Sequence, residues 1–396
     1  MAETRKAAKW ARLFDAGLAV SPPLGPEALA EIPAKRGVFL LAGEGGEPVL
    51  LATAADIRAR VRHRLAEGEQ GSARRADLRE VAAALWWKLA DSHFETDWQY
   101  LRLARAVYPD TYPALLGSQP AWFVHVDPDE KAPAFRRSKD VFARGGQFLG
   151  PFPDKHVAQR FVERLVDGFD LCRNEQILRR APRGSPCAYA QMGRCRAWCD
   201  GSASMDDYRR LLGRACAYAA GDRQEFRRAI ADEMRRLSGR REYERAAACK
   251  ARLDRLAELD ADTFTHVAPV GRFRYLYVQP GARTGEAKVF LVDRGRIKPA
   301  GALGYPLKPR QLTRVLRAMG SFIAQQRRPG RGEREGIGLV AHYLFGAAER
   351  RGLPIRWEEG LTPDALAERI EPAAAALKLK KPARSARKKS PPAKAR

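Results

Sequence analysis

The stretch SPCAYAQMGRCRAWCDG, Ser185–Gly201, places three of the chain's six cysteines within thirteen residues, and Cys172 lies shortly before it. The spacing runs Cys172-x14-Cys187-x7-Cys195-x3-Cys199. The remaining two, Cys216 and Cys249, fall in segments of helical pattern and read as small buried hydrophobes. Such clustering in a chain without a secretory pattern points away from disulfides and toward a metal site. Four thiolates suit tetrahedral zinc or an iron–sulfur cluster. Zinc sites usually rest on close C-x2-C-type pairs, whereas here only Cys195 and Cys199 are close, so the wide gaps favour the larger cluster, with zinc as the alternative. Arg173, Arg194 and Arg196 add positive charge suited to an anionic group.

Around this segment lie 396 residues with 45% hydrophobic content, enough for two to three domains. No apolar run reaches the roughly 18 residues that a membrane span needs. The opening MAETRKAAKWARLFDAGLAV lacks a signal-peptide pattern, so the expected location is the cytoplasm, with no membrane contact. The formal charge is +25, and residues 378–396 supply nine Lys/Arg and no acid, which leaves about +16 elsewhere. A surplus of this size fits a polyanion partner such as DNA.

Residues 1–33 read as a leader with one or two short helices. From 34 to 130 the pattern is that of a small α/β unit. GVFLL and PVLLA flank the turn GEGGE as a hairpin, AADIRARVRHRLAEG is a helix, RADLREVAAALWWKLA is a strand or helix, ETDWQYLRLARAVYP is a helix, and PAWFVHVD is a strand. Trp86, Trp87 and Trp98 are expected in its core. Residues 148–202 form the cysteine-rich segment, beginning as a loop and becoming helical from Lys155, with Val157, Phe161 and Leu165 on one face. Helices fill 203–262, a small β segment spans 263–305, and 306–377 read as a helical C-terminal region. Residues 378–396 have no apolar content to bury and read as a disordered basic tail. The expected class is α+β. The six histidines show no metal-ligand spacing.

GPFPDKHVAQRFVERLVDGFDLCR, followed by SPCAYAQMGRCRAWCDGSASMDDYRRLL, resembles the UvrC family of the ABC excinuclease. The resemblance implies a [4Fe–4S] cluster held by Cys172, Cys187, Cys195 and Cys199, and a role in nucleotide excision repair and the SOS response. IADEMRRLSGRREYERAAACKARLDRLAEL, residues 230–259, resembles the family's UVR motif. It reads as a helical hairpin turning at SGR, with Ile230, Met234 and Leu237 on one stripe and Tyr243, Ala246, Ala247, Leu253 and Leu256 on the other. In the family this hairpin docks onto the helicase UvrB, which puts Tyr243, Glu244, Ala246, Ala247 and Lys250 at the contact. Ala251 stands where the family usually has Asp.

More faintly, IPAKRGVFLL and IRARVRHRL resemble the GIY-YIG nuclease domain of the same family. That chemistry needs tyrosine hydroxyls, an Arg and a metal-binding Glu. Phe39 stands at the first Tyr, Leu50 or Leu51 at the second, Ala52 or Thr53 at the Gly, and Arg64 at the later Tyr, while Arg60 is kept. No Glu falls at the metal position near Tyr100; Glu95 and Asp97 are the nearest carboxylates. The expectation is a nuclease fold that has lost strand cleavage. An active, divergent structure-specific endonuclease would need Glu95 or Asp97 as metal ligand and Tyr100 as the replacement tyrosine, all facing Arg60. A third reading is a non-catalytic, redox-sensing adaptor. GRFRYLYVQPGARTGEAKVFLVDRGRIKPAG resembles the β segment after UVR; neither the ribonuclease-H-like nor the helix–hairpin–helix module of full-length members is found in the sequence.

Overall fold

The computed structural model describes residues 10–65, 78–117, 119–142, 145–221, 223–325 and 330–380. Three four-stranded sheets carry the fold, and every strand pairing in them is antiparallel, as an α+β class requires.

The first sheet has the order β1-β4-β2-β3, from β1 (Ala16–Ala19), β2 (Gly37–Ala42), β3 (Pro48–Ala54) and β4 (Ala84–Leu89). β2 and β3 are the expected hairpin, with Phe39 opposite Ala52 and Leu40 opposite Leu51. β2 is buried along its whole length, because successive side chains point to opposite faces and both faces are covered. Phe39 and Leu41 pack with Ile57 and Val61 of helix α2 (Ile57–Leu65). Val38 and Leu40 pack with Phe94 and Trp98 of helix α3 (His93–Val107). The expected leader is in fact part of this unit. Ala16–Ala19 pair with Ala84–Trp87 as an edge strand, and α1 (Pro26–Glu31) follows.

The second sheet, β6-β5-β7-β8, contains β5 (Trp122–Val126), β6 (Arg136–Ser138), β7 (Gln147–Phe152) and β8 (Ala268–Pro269). β5 therefore belongs here and not to the preceding unit, which moves the expected boundary at 130 back to about 121. The stretch before Lys155 is a strand, not a loop: β7 pairs with β5 through Leu149 and Phe148. Helix α4 (Lys155–Phe169) is capped by Asp154, whose carboxylate accepts from the amides of His156 and Val157 at 2.7 and 2.9 Å. Val157, Phe161 and Leu165 lie in the core as expected, together with helix α5 (Met205–Ala220).

Helices α6 (Arg223–Gly239) and α7 (Tyr243–Ala257) form the expected hairpin. Its root is fused to α4. Phe226 stacks on Phe169 at 4.7 Å between ring centroids, while Arg252 and Arg255 donate to the carbonyls of Gly168 and Asp167 at 2.8 and 3.1 Å. These last carbonyls of α4 have no partner inside their own helix, and the arginines satisfy them.

The third sheet corrects the division at 305. β9 (Arg274–Pro280), β10 (Glu286–Asp293) and β11 (Arg296–Gly304) form a meander, and β12 (Leu353–Arg356) closes its other edge against β9. Residues 263–305 and 306–377 are thus one α/β unit. Helices α8 (Pro309–Ala324) and α10 (Pro363–Ile370) cover one face of the sheet through Leu276, Val289, Leu312 and Leu366. Helix α9 (Arg331–Leu344) and α3 cover the other, through Tyr277, Phe290, Phe94 and Val340. The expected tail begins later than 378: Leu379 is 2% exposed in this core, and Lys380 pairs with Glu371 at 3.0 Å. The rest of the expected tail, 381–396, lies outside the described residues.

Helix α3 is the wall shared by the first and third sheets, which share one core. This explains its burial on both sides, from Phe94 and Glu95 to Leu103 and Val107.

Candidate functional site

The loop from Leu171 to Gly201 is anchored at both ends. Asp170 ends α4 in the left-handed conformation, at φ 50°, and turns the chain so that Leu171 enters the core and Cys172 follows at its edge. At the far end Trp198 is 2% exposed and meets Tyr208 edge-on at 5.5 Å. Between them the chain doubles back on itself. The amide of Gly184 donates to the Cys199 carbonyl at 2.8 Å. A Cβ on Gly184 would meet that oxygen at 2.9 Å and the Cys199 Cβ at 3.1 Å, so only glycine permits this approach.

This folding puts the four cysteines within electrostatic reach of one another. Burial pushes the Cys172 thiol up to about 11, and the charges of Cys195, Cys199 and Cys187 push it the same way. Burial likewise raises Cys199, reinforced by Cys195 and Cys187. All four are free thiols; Cys172 Sγ donates to the Asn174 carbonyl at 3.3 Å and Cys199 Sγ to that of Ser185 at 3.7 Å. Among the described residues, no group of three or more His, Cys, Asp or Glu side chains is placed to hold a metal ion. Cys216 is buried and Cys249 half-buried; both pack with the middle core.

The surroundings of the thiols are rich in unmatched donors. Trp198 Nε1 and Arg173 Nη1 are buried without a hydrogen-bond partner. They adjoin Cys199 and Cys172 in the chain. A buried N–H left unpaired costs about 1–3 kcal/mol, and an anionic acceptor between the thiols is the kind of group that would relieve it. Arg136 holds the floor of the loop, bound to Glu175 at 2.7 Å and Glu130 at 2.6 Å. The Arg136 hydrogen bond, opposed in part by burial and reinforced by Arg179, draws the Glu175 carboxyl down to about 2. Sequence reasoning missed Gly184, Trp198, Tyr208 and Arg136. Only Trp198 carried a signal, an aromatic placed between two closely spaced cysteines.

The nuclease-type residues are not brought together. Phe39 is fully buried beneath α2, and Leu50 packs toward the same side. Arg60 is exposed on α2, on the Phe39 face of the sheet, whereas Glu95, Asp97 and Tyr100 belong to α3 on the opposite face. Each of the three is engaged elsewhere. Glu95 binds Lys288 Nζ at 2.8 and 2.9 Å, Asp97 accepts from the Tyr343 hydroxyl at 2.5 Å, and the Tyr100 hydroxyl donates to the Leu115 carbonyl at 3.3 Å. The arrangement with these side chains facing Arg60 is not formed.

On the helical hairpin, Tyr243 is 65% exposed and Glu244, Ala247 and Lys250 are exposed as well. Tyr243, Ala247 and Lys250 follow helical spacing and share a face. Ala246 is buried between the two helices, so it leaves the expected contact set, and Ala247 is not on the inner stripe.

Residues 121–218 match the family described as UvrC/Cho excinuclease, middle domain. The matched segment holds the second sheet's first three strands, α4, the cysteine loop and α5. Relatives include UvrABC system protein C of Hyphomonas neptunium, 26% identical over 59% of this chain and 38% of that protein. That of Rhizobium meliloti is 24% identical over 81% of this chain and 52% of that protein. That of Thermobifida fusca is 25% identical over 58% and 35%. Over these segments the chain is similar to the UvrC family, at 24–26% identity to these relatives. It matches about a third to a half of the length of these relatives. No solved structure matches it.

Proposed function

We propose that the chain is a UvrC-like, DNA-binding protein of nucleotide excision repair that holds a [4Fe–4S] cluster on Cys172, Cys187, Cys195 and Cys199. What supports this reading is the four free thiols carried on one loop, with two buried unmatched donors next to them in the chain, inside the segment that matches the middle-domain family. Such a cluster supplies an anionic redox-active group when bound. In this chain Trp198 and Arg173 offer it N–H donors, Gly184 lets the loop close around it, and Arg136 with Glu175 steadies the loop. Zinc is the alternative occupant of the same thiols. The high thiol pKa of Cys172 means that either group binds with proton release and more tightly as pH rises toward 11.

The hairpin face of Tyr243, Ala247 and Lys250 is assigned to UvrB docking, with Glu244 at its edge. The N-terminal unit is a GIY-YIG-like domain without a nuclease centre. Its support is hydrocarbon at Phe39 and at Leu50 or Leu51, and the separation of Arg60 from Glu95 and Asp97 by a sheet.

Anaerobic purification with iron and sulfide analysis tests the central point. About four irons per chain, lost in Cys195→Ala or Cys199→Ala, is the expected result. Zinc alone, or no metal, overturns the cluster. Damaged duplex incubated with Mg²⁺ or Mn²⁺ should remain uncut; incision abolished by Arg60→Ala would return the nuclease to the N-terminal unit.

A further inference from the structure

A cleft of about 500 Å³ opens between the first and third sheets, away from the cysteine loop, and its size is that of a small-molecule site. Arg36 enters it from the turn before β2, His93 from the first turn of α3, Arg350 from the short helix Ala348–Arg351 before β12, and Lys378 from the end of the described chain. Its one lining carboxylate among the described residues, Asp91, is already bound to Lys288 Nζ at 2.5 Å. Among the described residues, no carboxylate pairs with Arg36, Arg350 or Lys378. Arg36 Nη1 lies 3.2 Å from His93 Nδ1. A guanidinium only donates, so the imidazole accepts there and keeps its proton on Nε2. Burial, then the Arg36 and Arg350 cations, hold His93 below its ordinary range. The cleft also receives the positive end of the 15-residue helix α3.

Three cations that no carboxylate pairs among the described residues, an imidazole and a helix start thus converge from segments distant in the chain. Like charges gathered in this way are costly unless an anion joins them. Arginine forks match phosphate oxygens in pairs, and three positive charges balance a dianion better than a single carboxylate or diester.

We propose that this cleft binds a phosphate monoester through Arg36, His93, Arg350 and Lys378. The phosphate chemistry stands on the cleft alone. Its source is either the terminal phosphate of a nucleic-acid strand, which rests on the DNA-binding reading above, or a small phosphorylated molecule.

The test uses the full chain and the double variant Arg350→Glu/Lys378→Glu, both positions being exposed, so that an unchanged melting temperature reports an intact fold. Labelled oligonucleotides with a phosphate or a hydroxyl at the 5′ or 3′ end are titrated by fluorescence anisotropy at fixed salt. Adenosine monophosphate and inorganic phosphate are added in a thermal-shift assay. The wild type should bind a phosphorylated end about tenfold more tightly than the hydroxyl form, and the double variant should lose that preference while keeping its remaining DNA affinity. Stabilisation of the wild type alone by the free monophosphate, without end preference, assigns the cleft to the small molecule and leaves the phosphate reading standing. Stabilisation with no DNA affinity at all breaks the repair reading but not the cleft. Neither end preference nor stabilisation, or either one undiminished in the double variant, overturns the proposal.

Discussion

The cysteine loop and the sheet face beneath α2 handle their candidate chemistry in opposite ways. In the loop, polar donors are buried without partners beside thiols. The positions where the resemblance asks for hydroxyls are filled by Phe39, packed beneath α2 with Ile57 and Val61, and by Leu50 or Leu51. The carboxylates nearest the expected metal position tie α3 to its neighbours, Glu95 to Lys288 of β10 and Asp97 to Tyr343 of α9. One region leaves polar atoms unsatisfied; the other is closed with hydrocarbon and ion pairs.

The largest effect that would sharpen this contrast is at Phe39. Phe39→Ala should cost about 3–5 kcal/mol in a denaturant titration, because the ring is fully buried between two layers. Phe39→Tyr restores the missing hydroxyl but buries it without a partner. It should cost about 1–3 kcal/mol and still give no incision, and incision in this variant would break the contrast. Gly184→Ala should cost a similar 1–3 kcal/mol and also lower iron recovery, since a methyl there collides with Cys199. A loss of stability without a loss of metal would separate the loop's fold from its site.

Smaller effects concern pH and the exposed hairpin. The Glu175 carboxyl lies lower in the folded chain than its unfolded value of 4.5, at about 2. Its contribution is therefore present above pH 4.5 and disappears as pH falls from 4.5 toward 2. Glu175→Gln should flatten that part of the stability profile and cost about 1 kcal/mol at neutral pH. An unchanged acid limb would remove Arg136–Glu175 as the floor of the loop. Tyr243→Ala should leave stability within about 0.5 kcal/mol, as the ring is exposed, yet weaken binding to UvrB in a pull-down. Undiminished binding would end the assignment of that face.

Much of the middle of the molecule was legible. Helix α4 and the hairpin α6–α7 have the apolar spacing of helices with one buried side, and the turn falls where SGR marks it. The short strands were not. β1 is AGLA, too small to show alternation, and becomes a strand only because β4 offers an open edge. β7 holds a Gly-Pro pair that reads as a turn, but it hydrogen-bonds to β5. β12 is LPIR, four residues recruited by β9 from a distant part of the chain. Likewise the thiol spacing was visible in the sequence, whereas the unmatched donors at Trp198 and Arg173 exist only once burial has removed their water.

The pairing of β12 with β9 carries a consequence for how the chain is made. Val278 waits for Leu353, about 75 residues further on, before its edge is covered. At about 5–20 residues per second of synthesis, that edge is open for roughly 4–15 s in a nascent chain already rich in β-structure. An unpaired edge of Tyr275, Leu276, Tyr277 and Val278 is a template for pairing with another chain. Truncation after α9 would make that exposure permanent, so shortened products of this protein should collect as aggregates before any defect in their chemistry could be seen.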